Sequence, residues 1–575
     1  MVKKAKYLGR DIVGLILLGL SLIMLGRSLM LCFSNDIWYD ELFTVGMAEH
    51  SYGELVRFTA ADVHPPLYYC IVKFFEDLCK LIVPSAGTVI PAKLVSVLPY
   101  FILFAYAVTL IRRRWGVFAG GLFLFCVTAM PQLSAYTVEA RMYGWALLFV
   151  TAAFLHADAL TVMDGGGNAQ DAGIAGWETT SAEKRQSRFR FAHGAALVFY
   201  GLAAAYTQYF ACVAVGMVYL YLLLMLWRQD KKRVREWLVL AEVSAAGYVP
   251  WLFVLAGQIS AVRENYWILP LTWRSLGGCV KFIMKPAFTN DTLNTVLAVI
   301  LTAGFAAIFL WCGWHHKLGH NRRVYEETEE GRRFLTVAAG IWVLAGVVGF
   351  GFAASFLIRP VFVYRYMIPA LGCFWLSFAL CMDKVLCKPK DGRKETENPG
   401  EEGRRSVRGR RWRQGLCYAF LILVVLVGLR DYRAFMGEEE YKIVMMRETE
   451  TALSLIGPED SVLYNFDQVQ AVTGYYLPET VERLLWRTQG EKLIQEITSP
   501  CGYAEDVEEL RQMLAKMQGE EKIKNLWFIG SFNSRDDIVA EWQNAGLEAE
   551  QMGSFLLERY WFNLYRISDS DHTTF

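Results

Sequence analysis

P-P-L-Y-Y-C-I-V-K-F-F-E-D-L-C-K-L-I-V, Pro65 to Val83, is the stretch whose reading decides the fold. It is nearly long and apolar enough to cross a bilayer, which takes about 20 apolar residues. Its charges, Lys73, Glu76, Asp77 and Lys80, recur every three or four residues and so line one side of a helix. An apolar helix with one polar stripe lies in the membrane interface. The basic residues downstream test this reading, because one extra span inverts everything that follows.

With Pro65 to Val83 lying flat, the chain reads as about eleven spans. Ile12 to Phe33 follows Lys3, Lys4, Lys6 and Arg10; without a small-residue cleavage site it is a retained span. Ala92 to Ile111 ends at Arg112, Arg113 and Arg114, and Trp115 to Met130 with Tyr143 to Leu160 return to Lys184, Arg185, Arg188 and Arg190. His193 to Tyr209 and Phe210 to Trp227 lead to Arg228, Lys231, Lys232, Arg233 and Arg235. Trp237 to Ala256 reaches a loop with Arg263, Trp267 and Trp273, and Leu293 to Trp314 comes back to Arg322 and Arg323. Phe334 to Ile358 and Phe362 to Leu386 lead to the basic stretch Lys388 to Arg413, from which Leu416 to Leu429 exits. Every basic cluster then falls on one side, which the positive-inside rule makes cytoplasmic. The expectation is a multi-pass protein of the cell membrane, with its N-terminus in the cytoplasm and its C-terminus outside. A spanning Pro65 to Val83 would turn all the later clusters outward.

Composition agrees. Of 575 residues 54% are hydrophobic and 20% charged, with a mean hydropathy of +0.26, so apolar blocks alternate with charged ones. That describes a polytopic membrane protein with a soluble part. A net charge of +1 indicates no particular partner; membrane lipids are expected neighbours and nucleic acid is not. The twelve cysteines are scattered, without C-x-x-C or Cys/His spacing, and read as small apolar residues. Asp164 to Gly176 and Pro389 to Gly409 read as solvated linkers, and the three glycines of the first lack the context of a phosphate-binding loop. The domains are expected at 1–430, with a first outer loop over 34–90, and at 431–575. In the latter, strands over Ser461 to Phe466, Asn525 to Ile529 and Tyr560 to Ile567 alternate with helices over Glu438 to Leu455, Asp506 to Met517 and Arg535 to Ala545, which suggests an extracytoplasmic α/β layer.

The chemistry centres on N-D-I-W-Y-D-E-L-F-T-V-G-M-A-E-H, Asn35 to His50. Asp40 and Glu41 arrive just after the first span, where bilayer meets water. Alone, such a dipeptide most often caps a surface helix. The topology, however, gathers His64, Glu139, Arg141, Tyr143, Gln208, Tyr209, Arg365 and Tyr366 on the same outer face. Ionisable groups at that depth are functional or paired, and a structural pair of Glu139 with Arg365 is the plainer alternative.

The ordered motifs W-Y-D-E (Trp38 to Glu41), H-P-P-L-Y-Y (His64 to Tyr69), E-A-R-M-Y (Glu139 to Tyr143), T-Q-Y-F (Thr207 to Phe210) and Y-R-Y-M-I-P (Tyr364 to Pro369) resemble the GT-C membrane glycosyltransferases. The similar group is that of dolichyl-phosphate-mannose protein mannosyltransferases and lipid A aminoarabinose transferases, and the likeness covers roughly the first 370 residues. The resemblance implies a polyprenyl-phosphate-linked sugar donor, attacked with inversion by an extracytoplasmic glycan, lipid or protein acceptor. It implies Asp40 as catalytic base and Glu41 as the second acid. It raises a divalent metal ion as a cofactor, with His64 standing where some relatives carry an acidic metal ligand, and Glu139, four residues from Tyr143 on one helical face, is placed to orient the site or to bind such a metal.

Residue chemistry agrees with that assignment. Sugar transfer through an oxocarbenium-like state needs a carboxylate to take the acceptor's proton and cations to hold the departing phosphate. Asp40 suits the first task; Arg365, with Arg141 in reserve, suits the second because a guanidinium grips phosphate bidentately. His64, Tyr143, Gln208, Tyr209 and Tyr366 complete the expected substrate-binding set. A transporter or lipid flippase is the alternative class, but its polar groups would lie near the midplane in paired halves. A non-catalytic glycan-binding relative is a third reading, and the intact Asp40-Glu41 pair speaks against it.

Overall fold

The computed structural model describes residues 2–84, 87–162, 177–261, 268–317, 329–386, 401–488, 490, 492–498, 500–518, 524–557 and 560–569. The basic positions 263, 322, 323 and 388–400 and the glycine-rich stretch 164–176 lie outside the described residues. The helices are α1 Val2–Leu31, α2 Tyr39–Glu49, α3 Tyr52–Ala61, α4 Leu67–Ile82, α5 Val89–Tyr106, α6 Arg112–Trp115, α7 Val117–Ala129 and α8 Tyr143–Leu160. They continue as α9 Trp177–Ala205, α10 Tyr209–Gln229, α11 Val234–Ala261, α12 Arg274–Met284, α13 Asp291–Lys317, α14 Glu329–Leu357, α15 Ile368–Leu386 and α16 Glu401–Leu453. Among the described residues nine helical segments are long and apolar enough to cross a membrane. They coincide with nine of the eleven expected spans; the other two fall on α7, only 13 residues long, and on the second half of α9.

The helix α4 is not among the crossing candidates. It buries Tyr68, Tyr69, Val72 and Glu76, while Phe74, Leu78, Leu81 and Ile82 are exposed. Its polar stripe serves the fold. Lys73 donates to the Ala48 carbonyl at 3.3 Å, and buried Glu76 accepts from Thr88 Oγ1 at 2.8 Å and pairs with Lys80 at 2.5 Å. The stripe thus pins α4 to α2 and to the start of α5, and leaves an apolar face free for lipid.

Ion pairs gather the basic helix ends at one end of the bundle. Arg10 of α1 and Arg333 of α14 both grip Asp383, near the end of α15, at 3.0 and 2.5 Å. Arg114 of α6 pairs with Asp158 near the end of α8. The helices α8 and α15 start at the opposite end, beside Glu139, Arg141 and Arg365. Arg10, Arg114 and Arg333 thus lie at the end of the bundle away from Glu139, Arg141 and Arg365.

The boundary expected at 430/431 falls inside α16, one continuous helix that leads into the α/β layer. There β1 Ser461–Tyr464, β2 Glu482–Trp486, β3 Gly502–Ala504, β4 Leu526–Ser531, β5 Leu547–Leu557 and β6 Tyr560–Asp569 form one sheet in the order β3-β2-β1-β4-β6-β5. The first four strands are parallel, and the β5–β6 hairpin joins β4 antiparallel. The intervening helices are α17 Asp467–Tyr475, α18 Lys492–Ile497, α19 Val507–Gln518 and α20 Phe532–Asn544. This layer sits on the first outer loop. The Ile37 amide donates to Tyr476 at 3.1 Å, His50 Nε2 meets the Ile497 carbonyl at 3.2 Å, and Arg57 pairs with Glu496 at 3.4 Å. Gly46 permits the approach, since a Cβ there would lie 2.8 Å from the Ile497 oxygen.

Candidate active site

Asp40 sits in the first turn of α2, held from below by two clamps. Buried Lys93, only 1% exposed, donates to Asp36 at 2.8 Å and to Ser34 at 3.1 Å, fixing the loop that precedes the helix. Glu41 then fixes the helix start itself. Its Oε2 accepts the Trp38 amide at 3.3 Å, the glutamate half of a capping box, and its Oε1 accepts the Ala140 amide at 2.7 Å. Both Glu41 oxygens are thereby engaged, and the loop over 130–142 is tied to α2. Burial pushes the Glu41 carboxyl up to about 6, with Lys93 and the Ala140 amide opposing.

That tie presents Asp40 to two guanidinium groups. Arg365 Nη1 donates to Asp40 Oδ2 at 3.0 Å; Arg141 Nη1 donates to the Asp40 carbonyl at 2.9 Å, and its Nη2 stands 3.8 Å from Oδ2. Arg141 is buried, whereas Asp40 and Arg365 remain about a quarter open, at 22% and 24%. Arg365 also lies over the Tyr143 ring at 5.8 Å. Glu139 completes the cluster from the same loop. Loss of hydration pushes its carboxyl up to about 8, Glu41 adds to this, and Arg141 opposes it.

The remaining expected residues divide. The Tyr143 hydroxyl and both amide atoms of Gln208 are buried without a hydrogen-bond partner, so they are polar groups awaiting one. His64 pairs through Nδ1 with Asp62 Oδ2 at 2.6 Å. Although burial tends to raise the Asp62 carboxyl, the His64 charge and hydrogen bond outweigh it and hold it below the ordinary value. Tyr366 stacks on Phe210 at 4.8 Å, and the Leu67 amide of the H-P-P-L-Y-Y motif donates at 2.9 Å to the carbonyl of Tyr206, the residue before T-Q-Y-F. Tyr209 is committed elsewhere: its hydroxyl donates to Gln258 and accepts from Trp251.

Among the described residues no three His, Cys, Asp or Glu side chains converge as metal donors. The two candidate ligands also have separate partners, His64 with Asp62 and Glu139 among Glu41, Asp40 and the arginines. The donor set does not fit a metal, and no step below uses one.

Sequence reasoning passed over Lys93, Asp62 and a cavity of about 1050 Å³ beside Tyr364, walled by α12 and the start of α13. Lys93 had a signal, being a charge within an apolar span.

With this geometry the whole chain overlies a solved structure. ArnT from Cupriavidus metallidurans, determined bound to undecaprenyl phosphate, aligns over 96% of this chain and 97% of its own, with a TM-score of 0.51 and 12% identity. The chain has a GT-C-like fold. The archaeal oligosaccharyltransferase AglB from Archaeoglobus fulgidus, solved with an inhibitory peptide and a dolichol-phosphate, aligns over 90% of this chain and 69% of its own, at a TM-score of 0.37 and 10% identity. No protein-family model and no curated protein matches the sequence. In this GT-C-like frame, the Asp40 cluster lies at the end of the bundle that carries the α/β layer.

Proposed function

We propose that this chain is a membrane glycosyltransferase that moves a sugar from a polyprenyl-phosphate donor to an extracytoplasmic glycan, lipid or protein, with inversion. The observation that carries the reading is the partly exposed Asp40 carboxylate held against Arg365, with Arg141 behind it. Asp40 takes the proton of the acceptor hydroxyl as that oxygen bonds to the anomeric carbon. The bond from that carbon to the phosphate oxygen breaks, and its electron pair leaves with the phosphate. Arg365 and Arg141 receive the developing negative charge.

In the resting site Arg365 rests on Asp40. A donor phosphate draws it away and frees Asp40 Oδ2 to accept a proton. Glu41 acts by position, through the two amides it holds. Gln208 and Tyr143 offer unpaired polar groups to the sugar hydroxyls, while His64 and Tyr366 line the approach. The likeness to a fold solved with undecaprenyl phosphate supports the donor class. The basic helix ends support a cytoplasmic N-terminus, with the α/β layer on the outer surface of the cell membrane.

The test is mass spectrometry of envelope glycans, lipids and glycoproteins from cells with and without the protein. We expect one sugar modification to vanish and its polyprenyl-phosphate donor to accumulate. Unchanged modifications with an altered leaflet distribution of the lipid would make the chain a flippase instead.

A further inference from the structure

We propose that the cavity between α12 and α13 is the acceptor subsite, and that it takes acceptors carrying a phosphate or carboxylate near the hydroxyl that receives the sugar. The proposal rests on the transferase reading above. Arg274 and Lys281, seven residues apart, lie on one side of α12, Lys285 follows directly after the helix, and all three line the cavity. The other side of the helix exposes Leu276 and Val280, and Trp273 at its start is 80% exposed. The helix α12 therefore buries apolar Cys279, Ile283 and Met284, leaves Leu276 and Val280 exposed beside them, and lines the open cavity with its exposed basic residues.

The charge in the cavity is unbalanced. Lys285 is matched by Asp291 at 2.6 Å. Among the described residues Arg274 and Lys281 have no carboxylate within salt-bridge reach, and the other polar side chains of the wall, Gln132, Asn294 and Tyr364, are uncharged. Three cations against the single carboxylate Asp291 leave an excess of positive charge facing a concave space, which selects an anion.

The walls are built. Asn294 exchanges hydrogen bonds with the Phe288 amide and carbonyl, both at 2.8 Å, and Asp431 of α16 accepts the Ala287 amide at 2.9 Å. Gly278 lets α12 close on Tyr364, because a Cβ there would collide with the Tyr364 hydroxyl. Tyr364 then joins the cavity to the reaction, since the next residue, Arg365, holds Asp40. Gln132 does so from the other side, on the segment that carries Glu139 and Arg141.

Displacement with inversion places nucleophile and leaving group on opposite faces of the anomeric carbon. Arg365 and Arg141, already at the reacting carboxylate, serve the leaving phosphate. A separate basic set, in a cavity whose wall includes Tyr364 next to Arg365, is available to the acceptor. At about 1050 Å³ the cavity is at the upper end of the ~300–1,000 Å³ of small-molecule sites, so it admits more than one sugar ring.

The test uses the purified full chain in phosphatidylcholine nanodiscs, with binding followed by native mass spectrometry and competition. The probes are phosphatidic acid for a lipid-borne anion, glycerol 3-phosphate for a soluble one, glycerol as the neutral control, and undecaprenyl phosphate for the donor. We expect at least one anionic probe to bind, and the double variant Arg274→Ala/Lys281→Ala to weaken it by about tenfold or more, the order expected from losing charged hydrogen bonds. Undecaprenyl phosphate binding should not change. Which anion binds tells a lipid acceptor from a soluble one. The charge reversal Arg274→Glu/Lys281→Glu, at two exposed positions, should abolish anion binding in a protein that still binds undecaprenyl phosphate. Equal loss of both ligands in either variant would assign the cavity to the donor and overturn the proposal, as would binding of neither anion by the wild type. Failure of wild-type protein to bind undecaprenyl phosphate would instead overturn the transferase reading itself.

Discussion

The two ends of the helix bundle carry the same device, a carboxylate between two arginines, and use it differently. At one end Asp383 sits between Arg10 and Arg333, its side chain 2% exposed. At the other Asp40 sits between Arg365 and Arg141, ten times more exposed and with the second arginine at 3.8 Å. The first triad ties α1, α14 and α15 together and leaves no room for a ligand. The second has slack, neighbours such as Glu139 whose carboxyl is pushed far from its ordinary value, and unpaired polar groups at Tyr143 and Gln208. Residue type alone does not make a site; access and unmet hydrogen bonding do.

The contrast breaks most visibly through stability. Asp383→Asn removes the buried carboxylate that Arg10 and Arg333 share, and loss of one partner of a buried ion pair costs about 3–5 kcal/mol. We expect a steep fall in the yield and melting temperature of the purified protein, with transfer per folded molecule retained. Full stability would mean that the closed triad contributes nothing.

Arg365→Lys sharpens the comparison at the open end. The charge stays but the bidentate fork goes, and losing one charged hydrogen bond of ~1.5–3 kcal/mol corresponds to roughly 10- to 150-fold in donor use. Steady-state kinetics with varied donor would measure it, and unchanged kinetics together with a loss in Arg141→Lys would move the phosphate site to the other arginine.

The smallest effect is expected from pH. The Glu139 carboxyl, raised to about 8, is favoured in its neutral form by the folded site. That contribution is complete below the ordinary carboxylate range and is lost as pH rises through about 8. Melting curves of the wild type should therefore weaken between pH 6 and pH 9, and Glu139→Gln should flatten that decline; equal slopes would place Glu139 in a wetter setting.

Much of this was legible in the sequence. Apolar blocks with their basic ends gave the succession of long helices, and the stripe at Lys73, Glu76, Asp77 and Lys80 marks α4, which is not among the helices long and apolar enough to cross a membrane. The pairing of Asp40 with Arg365, 325 residues apart, followed only from topology, which brings both to one face without saying that they touch. The metal role expected for His64 depended on resemblance and that of Glu139 on its helical spacing from Tyr143, and the partner that engages His64, Asp62, is a local detail of the turn before α4. The edge strand β5 was missed because its stretch Glu548 to Gly553 is mostly polar, without the apolar alternation of a half-buried strand. The basic face of α12 was missed because three cations spread over twelve residues look like an ordinary loop until the helix turns two of them to one side.

The central claim is that Asp40 is the base of a sugar transfer. The direct measurement compares Asp40→Asn with wild type in lipid, following transfer from a polyprenyl-phosphate sugar and, separately, binding of that donor. Asparagine keeps the shape and removes the proton-accepting charge, so turnover should fall by about 10²–10⁴-fold while donor binding and melting temperature hold. Near-normal transfer by Asp40→Asn would contradict the account.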